Sequence, residues 1–231
     1  MRGLDQNLTG IGALADPVRL ELYLFVCAQP TPVSRDQAAE AIGVARHKAK
    51  FHLDKLEAEG LLEAVYARLT GRRGPGAGRS SKLYRRATRE FAVSLPTRDY
   101  LLAGRLMAAA IAESAASGVP VMEVLHRAAA EHGAAMGEAA IAAEGSPDTP
   151  GAALELAVGA LREHGYEPRP EGERTIMANC PFHALAEAQT ELVCHMNHAL
   201  ISGLVERLAP PKLEARLEPG DNRCCVSLAL P

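Results

Sequence analysis

Between Ser34 and Arg89 the chain carries an ordered series of short elements that restricts its fold more than any other stretch. Ser34 to Val44 reads as a short helix followed by a tight turn at Gly43, with Ser34 as the cap and Gln37 at the capping-box position. Ala45 to Glu59 reads as a second helix, with Arg46, His47, Lys48 and Lys50 crowded at its start. Leu61 to Tyr66 is an apolar, strand-like segment. A Gly/Arg loop follows from Thr70 to Ser81, then a basic strand, Lys82 to Arg86.

Helix, turn, helix, strand, basic loop, strand is the order of a winged helix-turn-helix, and it names duplex DNA as a partner. A preceding helix starts where Asp16 can cap and Pro17 can take the first helical position. Val18, Leu20, Leu22, Leu24, Phe25 and Val26 are expected to supply its buried surface. In the helix from Ala45, the residues Ala45, Ala49, His52, Leu53 and Leu56 recur at helical spacing and should face the core. Arg46, His47, Lys50 and Phe51 then fall on the outer face, near the end that meets base edges in the major groove. Arg46 is the candidate for a bidentate guanine contact. Lys48, Lys50 and Lys55 are expected to reach phosphates, which fix register without reading sequence.

From Ala64 to Arg89 there are eight Lys/Arg and no acid. Arg72, Arg73, Arg79 and Lys82 sit where a wing should be, and phosphate or minor-groove contact is the expectation. The plainer alternative is a solvated surface hairpin. His52, just before Leu53 on the inner side, is expected to be structural rather than a ligand.

Charge divides the chain unevenly. Residues 1–95 hold 15 Lys/Arg against 10 Asp/Glu, a surplus of +5, and residues 96–231 hold 10 against 18, a surplus of −8. Phosphate would repel the acidic part, which must do something else. No run approaches the roughly 18 apolar residues of a membrane span, and the first residues lack a signal-peptide core. The expectation is a cytoplasmic, non-enzymatic protein with reduced cysteines.

Residues 10–95 resemble the ArsR-like winged helix-turn-helix regulators. The resemblance rests on Leu14 to Leu20, on Gly43-Val44, and on His52-Leu53 with Leu56-Glu57 and Gly60-Leu61. It implies a DNA-binding homodimer on a pseudo-palindromic operator. The metal-binding cysteine pair that some of those proteins carry in the third helix is absent, so any sensor lies elsewhere. Pro96 to Ser117 and Val119 to Ala143 read as long Ala-rich helices, suited either to dimerisation or to an internal core. Gly145 to Gly151 is a loop, and Asp148 or Thr149 can cap a helix over about 150–164.

Cys27 lies in the first apolar helix and reads as a small core residue. Cys180, Cys194, Cys224 and Cys225 are concentrated towards the end. Cys180 follows an expected strand, Thr175 to Ala178, and Pro181 suits the first position of a helix. At that N-terminus the thiol would be acidified. Cys194 lies in a helix expected from Thr190 to Leu208, and Cys194 and His198 can face a site while His195 is solvated. Cys224 and Cys225 open an expected strand, Arg223 to Leu230, and adjacent strand residues point to opposite faces. Only one of the two would then enter a given site. Three thiolates from three elements can hold zinc or an iron–sulfur cluster. Buried thiols that never meet are the plainer alternative.

A winged module, Ala-rich helices and a C-terminal Asn179-Cys180-Pro181 segment followed by Cys194 and Cys224 together resemble the SufR-type iron–sulfur repressors. The resemblance implies that Cys180, Cys194 and Cys224 ligate a 4Fe–4S cluster that tunes operator affinity. His183 or Cys225 can instead complete a four-coordinate zinc site. The expected architecture is α+β and mostly helical: a winged helix-turn-helix over 1–95, linking or dimerisation helices over 96–145, and an α+β sensor domain over 146–231.

Overall fold

The structure, a computed structural model, describes residues 2–67, 80–208, 213–220 and 223–230, with side chains described from residue 7 onward. The fold is α+β and mostly helical, and the chain divides into two compact units at Val93/Ser94. No helix among the described residues is long and apolar enough to cross a membrane.

The first unit begins with α1 (Arg2–Ala13) and α2 (Pro17–Ala28). Asp16 caps α2 by accepting from the Arg19 amide at 3.0 Å, and Pro17 stands at its start. Leu22 and Val26, one turn apart, are its buried residues. Leu20 and Leu24, expected inside, are 39% and 56% exposed. Each lies two residues from a buried position, about 200° away around the helix axis.

A two-residue strand, β1 (Val33–Ser34), leads into α3 (Arg35–Ala41). The capping box forms as expected: the Gln37 amide donates to Ser34 Oγ at 3.2 Å, and the Ser34 amide donates to Gln37 Oε1 at 2.9 Å. Gly43 takes φ +68°, a conformation that favours glycine, and turns the chain into α4 (Arg46–Ala58). Ala49, His52, Leu53 and Leu56 of α4 are buried, whereas Ala45 is the exposed N-cap. Next come β2 (Leu62–Ala67) and β3 (Ser81–Arg86). The sheet is antiparallel in the order β1-β3-β2, with Ala64 opposite Tyr84. Leu22, Leu53, Leu56, Leu62 and Tyr84 form the centre of this core.

The second unit starts with α5 (Tyr100–Ser117), capped by Asp99, which accepts from the Leu102 amide at 2.9 Å. Residues 96–99, expected to be helical, therefore precede the helix. Then follow α6 (Val121–Glu144) and α7 (Pro150–Glu163), the latter capped by Thr149. After these come β4 (Pro168–Glu171), β5 (Arg174–Met177), α8 (His183–Ala188), α9 (Thr190–Leu208), β6 (Glu214–Leu217) and β7 (Val226–Ala229). Their sheet is antiparallel in the order β4-β5-β7-β6.

The helices expected to link the domains, α5 and α6, share one core with the cysteine-bearing elements. Small residues make this possible. A Cβ at Gly133 of α6 would stand 1.8 Å from the Leu200 carbonyl oxygen, and one at Gly203 of α9 would stand 2.0 Å from that of Ala130. The backbones of α6 and α9 touch there, in the most extensive helix contact of the unit.

Candidate functional site

The first candidate site is the N-terminal half of α4. Arg46, its first residue, is well exposed and ion-paired to Asp36 of α3. His47 and Lys48 are exposed. Lys50 is exposed and donates to Asp54 Oδ2 at 2.7 Å, and Lys55 pairs with Glu59. Phe51 is 66% exposed, as its outward position implied. Inside, His52 is only 6% exposed, and burial holds its imidazole on the neutral side. That agrees with a structural role.

Lys82 was expected to reach phosphate from the wing. It is partly exposed, donates to Asp54 Oδ1 at 2.8 Å, and also bonds Glu57. Tyr84 donates to the same Asp54 oxygen at 2.7 Å. Burial disfavours the Asp54 carboxylate, but the bonds from Lys50, Lys82 and Tyr84 outweigh it and hold the carboxyl far below the usual range. Lys82 is thus a brace between β3 and α4. Arg72, Arg73 and Arg79 lie outside the described residues. A cleft of about 320 Å³ runs past Arg35, Arg46, Lys50, Ser81 and Lys82. Arg35, which no sequence motif singled out, joins this basic surface.

The second candidate site is a cavity of about 200 Å³ in the second unit, lined by Cys180, Cys194, Cys224, Cys225, His183 and Glu187, among others. All five cysteines of the chain are free thiols, and these four are buried. Cys180 lies between β5 and α8, and Cys194 in the second turn of α9. Cys224 and Cys225 precede β7. The strand begins only at Val226, so the alternation expected for this pair does not apply and both residues line the cavity. The Cys224 amide donates to the Met177 carbonyl at 2.8 Å, which anchors the irregular segment to the end of β5.

Cys180 and Cys224, Cys224 and Cys225, and Cys225 and Cys194 are neighbours that shift one another's proton affinity. Cys180 is not acidified. Its bond to Cys224 and its burial push the thiol far up. Phe182 turns into the core, α8 starts at His183, and the thiol lies short of the helix end that was expected to lower it. Cys224 gains from the Cys180 bond, yet the bond to Cys225 and burial push it up to about 12. Burial raises Cys194 as well. His183 Nε2 stands 3.3 Å from Glu187 Oε1 at the cavity wall. His198, expected as a possible site residue, is bonded to the Ala215 carbonyl at 3.0 Å and does not line the cavity.

Thiol sulfurs are the donor chemistry of zinc and of iron–sulfur clusters, so by residue type the cavity lining suits such a centre. As the side chains stand, no group of three or more His, Cys, Asp or Glu among the described residues is arranged to hold a metal ion. Two further residues went unnoticed in the sequence: Asn197, whose Nδ2 donates to Cys224 Sγ at 3.1 Å, and Tyr166, which donates to Asn197 Oδ1.

Four helices packed with a three-stranded antiparallel sheet, with exposed basic residues at the start of α4, define the first unit as a winged helix-turn-helix. Residues 14–65 match the family model of a helix-turn-helix domain, which supports a DNA-binding transcriptional regulator. The match runs from just before α2 into β2 and stops short of the cysteine-bearing unit. No curated protein and no solved structure matches the chain.

Proposed function

We propose that the protein is a transcriptional repressor. It binds a pseudo-palindromic operator as a homodimer, and a thiolate-held iron–sulfur cluster or zinc ion sets its operator affinity. On this reading Arg46 reads a guanine edge, while His47, Lys48 and Lys50 meet the groove and its phosphates. Cys180, Cys194 and Cys224 are the ligands, with Cys225 or His183 as the fourth.

One observation carries the sensor assignment: four buried cysteines from three segments of the chain line a single cavity in the acidic unit. Such a centre, when bound, supplies ligation free energy that can differ between two forms of the protein. A 100-fold change in operator affinity needs about 2.7 kcal/mol of that difference. Binding requires the thiols to lose protons. Cys180 and Cys224 hold theirs tightly, so occupancy is expected to rise with pH.

A second reading has its own support. Burial and the neighbouring thiols keep Cys180 and Cys224 protonated, and among the described residues no group of three or more His, Cys, Asp or Glu is arranged to hold a metal ion. The cysteines would then be structural, with the regulator binding constitutively or answering an organic ligand. Anaerobic purification followed by metal analysis and a visible spectrum decides between them. Iron with a broad visible absorption, or stoichiometric zinc, supports the thiolate centre. Metal-free protein whose operator affinity survives Cys180→Ser and Cys194→Ser supports the second reading.

A further inference from the structure

We infer that Asn197 is a positioning residue for the Cys224 sulfur and that Tyr166 locks it in that role; this rests on the cavity being a thiolate site.

Asn197 sits in the middle of α9, fully buried, on a face otherwise made of Val193, Met196, Leu200, Ile201 and Leu204. A primary amide in such a place is costly unless its hydrogen bonds are made. Asn197 makes one at each end. Its Nδ2 donates to Cys224 Sγ at 3.1 Å, and its Oδ1 accepts from the buried Tyr166 hydroxyl. A thiolate can only accept, so an ionised Cys224 takes the N–H end of the amide and leaves the carbonyl end to Tyr166, whose hydroxyl donates to it. Flipping the amide would set its carbonyl oxygen against the sulfur anion.

This chain suits a ligand sulfur better than a resting thiol. Sulfur in a thiol is a weak acceptor, whereas a thiolate bound to a metal carries negative charge and accepts a stronger, charge-assisted bond. The N–H donated by Asn197 also acts on the Cys224 sulfur itself. It draws electron density from that sulfur and fixes the direction of the remaining lone pairs. Outer-shell partners of this kind typically contribute about 10- to 100-fold in metal affinity.

The test uses the full-length apo protein, titrated anaerobically with Co²⁺ alone in competition with a chelator of known affinity. The wild type should show a thiolate-to-cobalt charge-transfer band. Asn197→Leu should bind about 10- to 100-fold more weakly. Its band should shift to longer wavelength, because the sulfur lone pair is no longer stabilised. Tyr166→Phe keeps the amide but frees it to turn, so it should show a smaller change of the same sign. The double variant Tyr166→Phe/Asn197→Leu removes both polar partners together, which protects the fold, and should behave like Asn197→Leu. Folded variants with wild-type cobalt affinity and band position would overturn the inference and leave the thiolate site standing. A wild type with no charge-transfer band would overturn both.

Discussion

Lys82 of β3 donates to Asp54 of α4 across 2.8 Å and 28 residues of sequence, which ties the wing strand to the outward-facing helix. Its charge is therefore paired within the module. Lys82→Met should lower stability by about 1 kcal/mol, a partly exposed pair being weak. It should leave the salt dependence of DNA binding nearly unchanged. Lys48→Met should do the reverse, reducing the slope of log affinity against log salt by about 1 with little effect on stability. Fluorescence anisotropy over a salt series, with urea unfolding alongside, checks both.

The same carboxylate predicts a pH dependence. The folded Asp54 pKa is depressed, so its contribution is fully present above the unfolded value of about 3.9. It is lost as pH falls through the lower, folded value. Asp54→Asn removes this source of acid lability. Between about pH 5 and pH 2 the variant's stability should fall less steeply than the wild type's, although it starts lower at neutral pH. Chemical denaturation at several pH values measures it, and parallel slopes would count against a stabilising role for the Asp54 carboxylate.

Arg46 is held by Asp36 across the turn between α3 and α4. If it reads guanine, Arg46→Ala should cost about 1–3 kcal/mol on the preferred duplex and relax selectivity at one position. Affinity for random duplex should change much less. Equal losses on both duplexes would reduce Arg46 to a phosphate contact.

Gly133 is a packing prediction. A methyl group there meets the Leu200 carbonyl at 1.8 Å, and that contact is backbone, which cannot rotate aside. Gly133→Ala should destabilise the second unit by about 3 kcal/mol or more. Gly104→Ala, where a Cβ meets nothing within 4 Å, should be harmless or slightly stabilising. Thermal unfolding of the pair makes the comparison.

The first unit was legible because its punctuation is local. Asp16-Pro17, Ser34 with Gln37, and Gly43 each act over three or four residues, and each does what its chemistry implies. Leu20 and Leu24 misled because apolar residues crowd α2 all round, and only packing decides which stripe is buried. In the second unit the cysteines could be named but not arranged. The apolar run into β7 hid that pairing begins at Val226, so Cys224 and Cys225 escape the alternation rule. Pro181 signalled a helix start two residues too early, because Phe182 is drawn into the core first. Tyr166 and Asn197 lie 31 residues apart, and a single Asn on an apolar helix carries no pattern that points to its partner.

The central claim is that the thiol cavity governs DNA binding. It is tested by titrating one duplex, selected from random sequence by the protein itself, with metal-loaded and stripped protein under anaerobic conditions. Wild-type protein should differ between the two states by about 100-fold, or about 2.7 kcal/mol. Cys180→Ser should show one affinity whatever the metal supplied. Identical affinity for loaded and stripped wild-type protein would contradict the account.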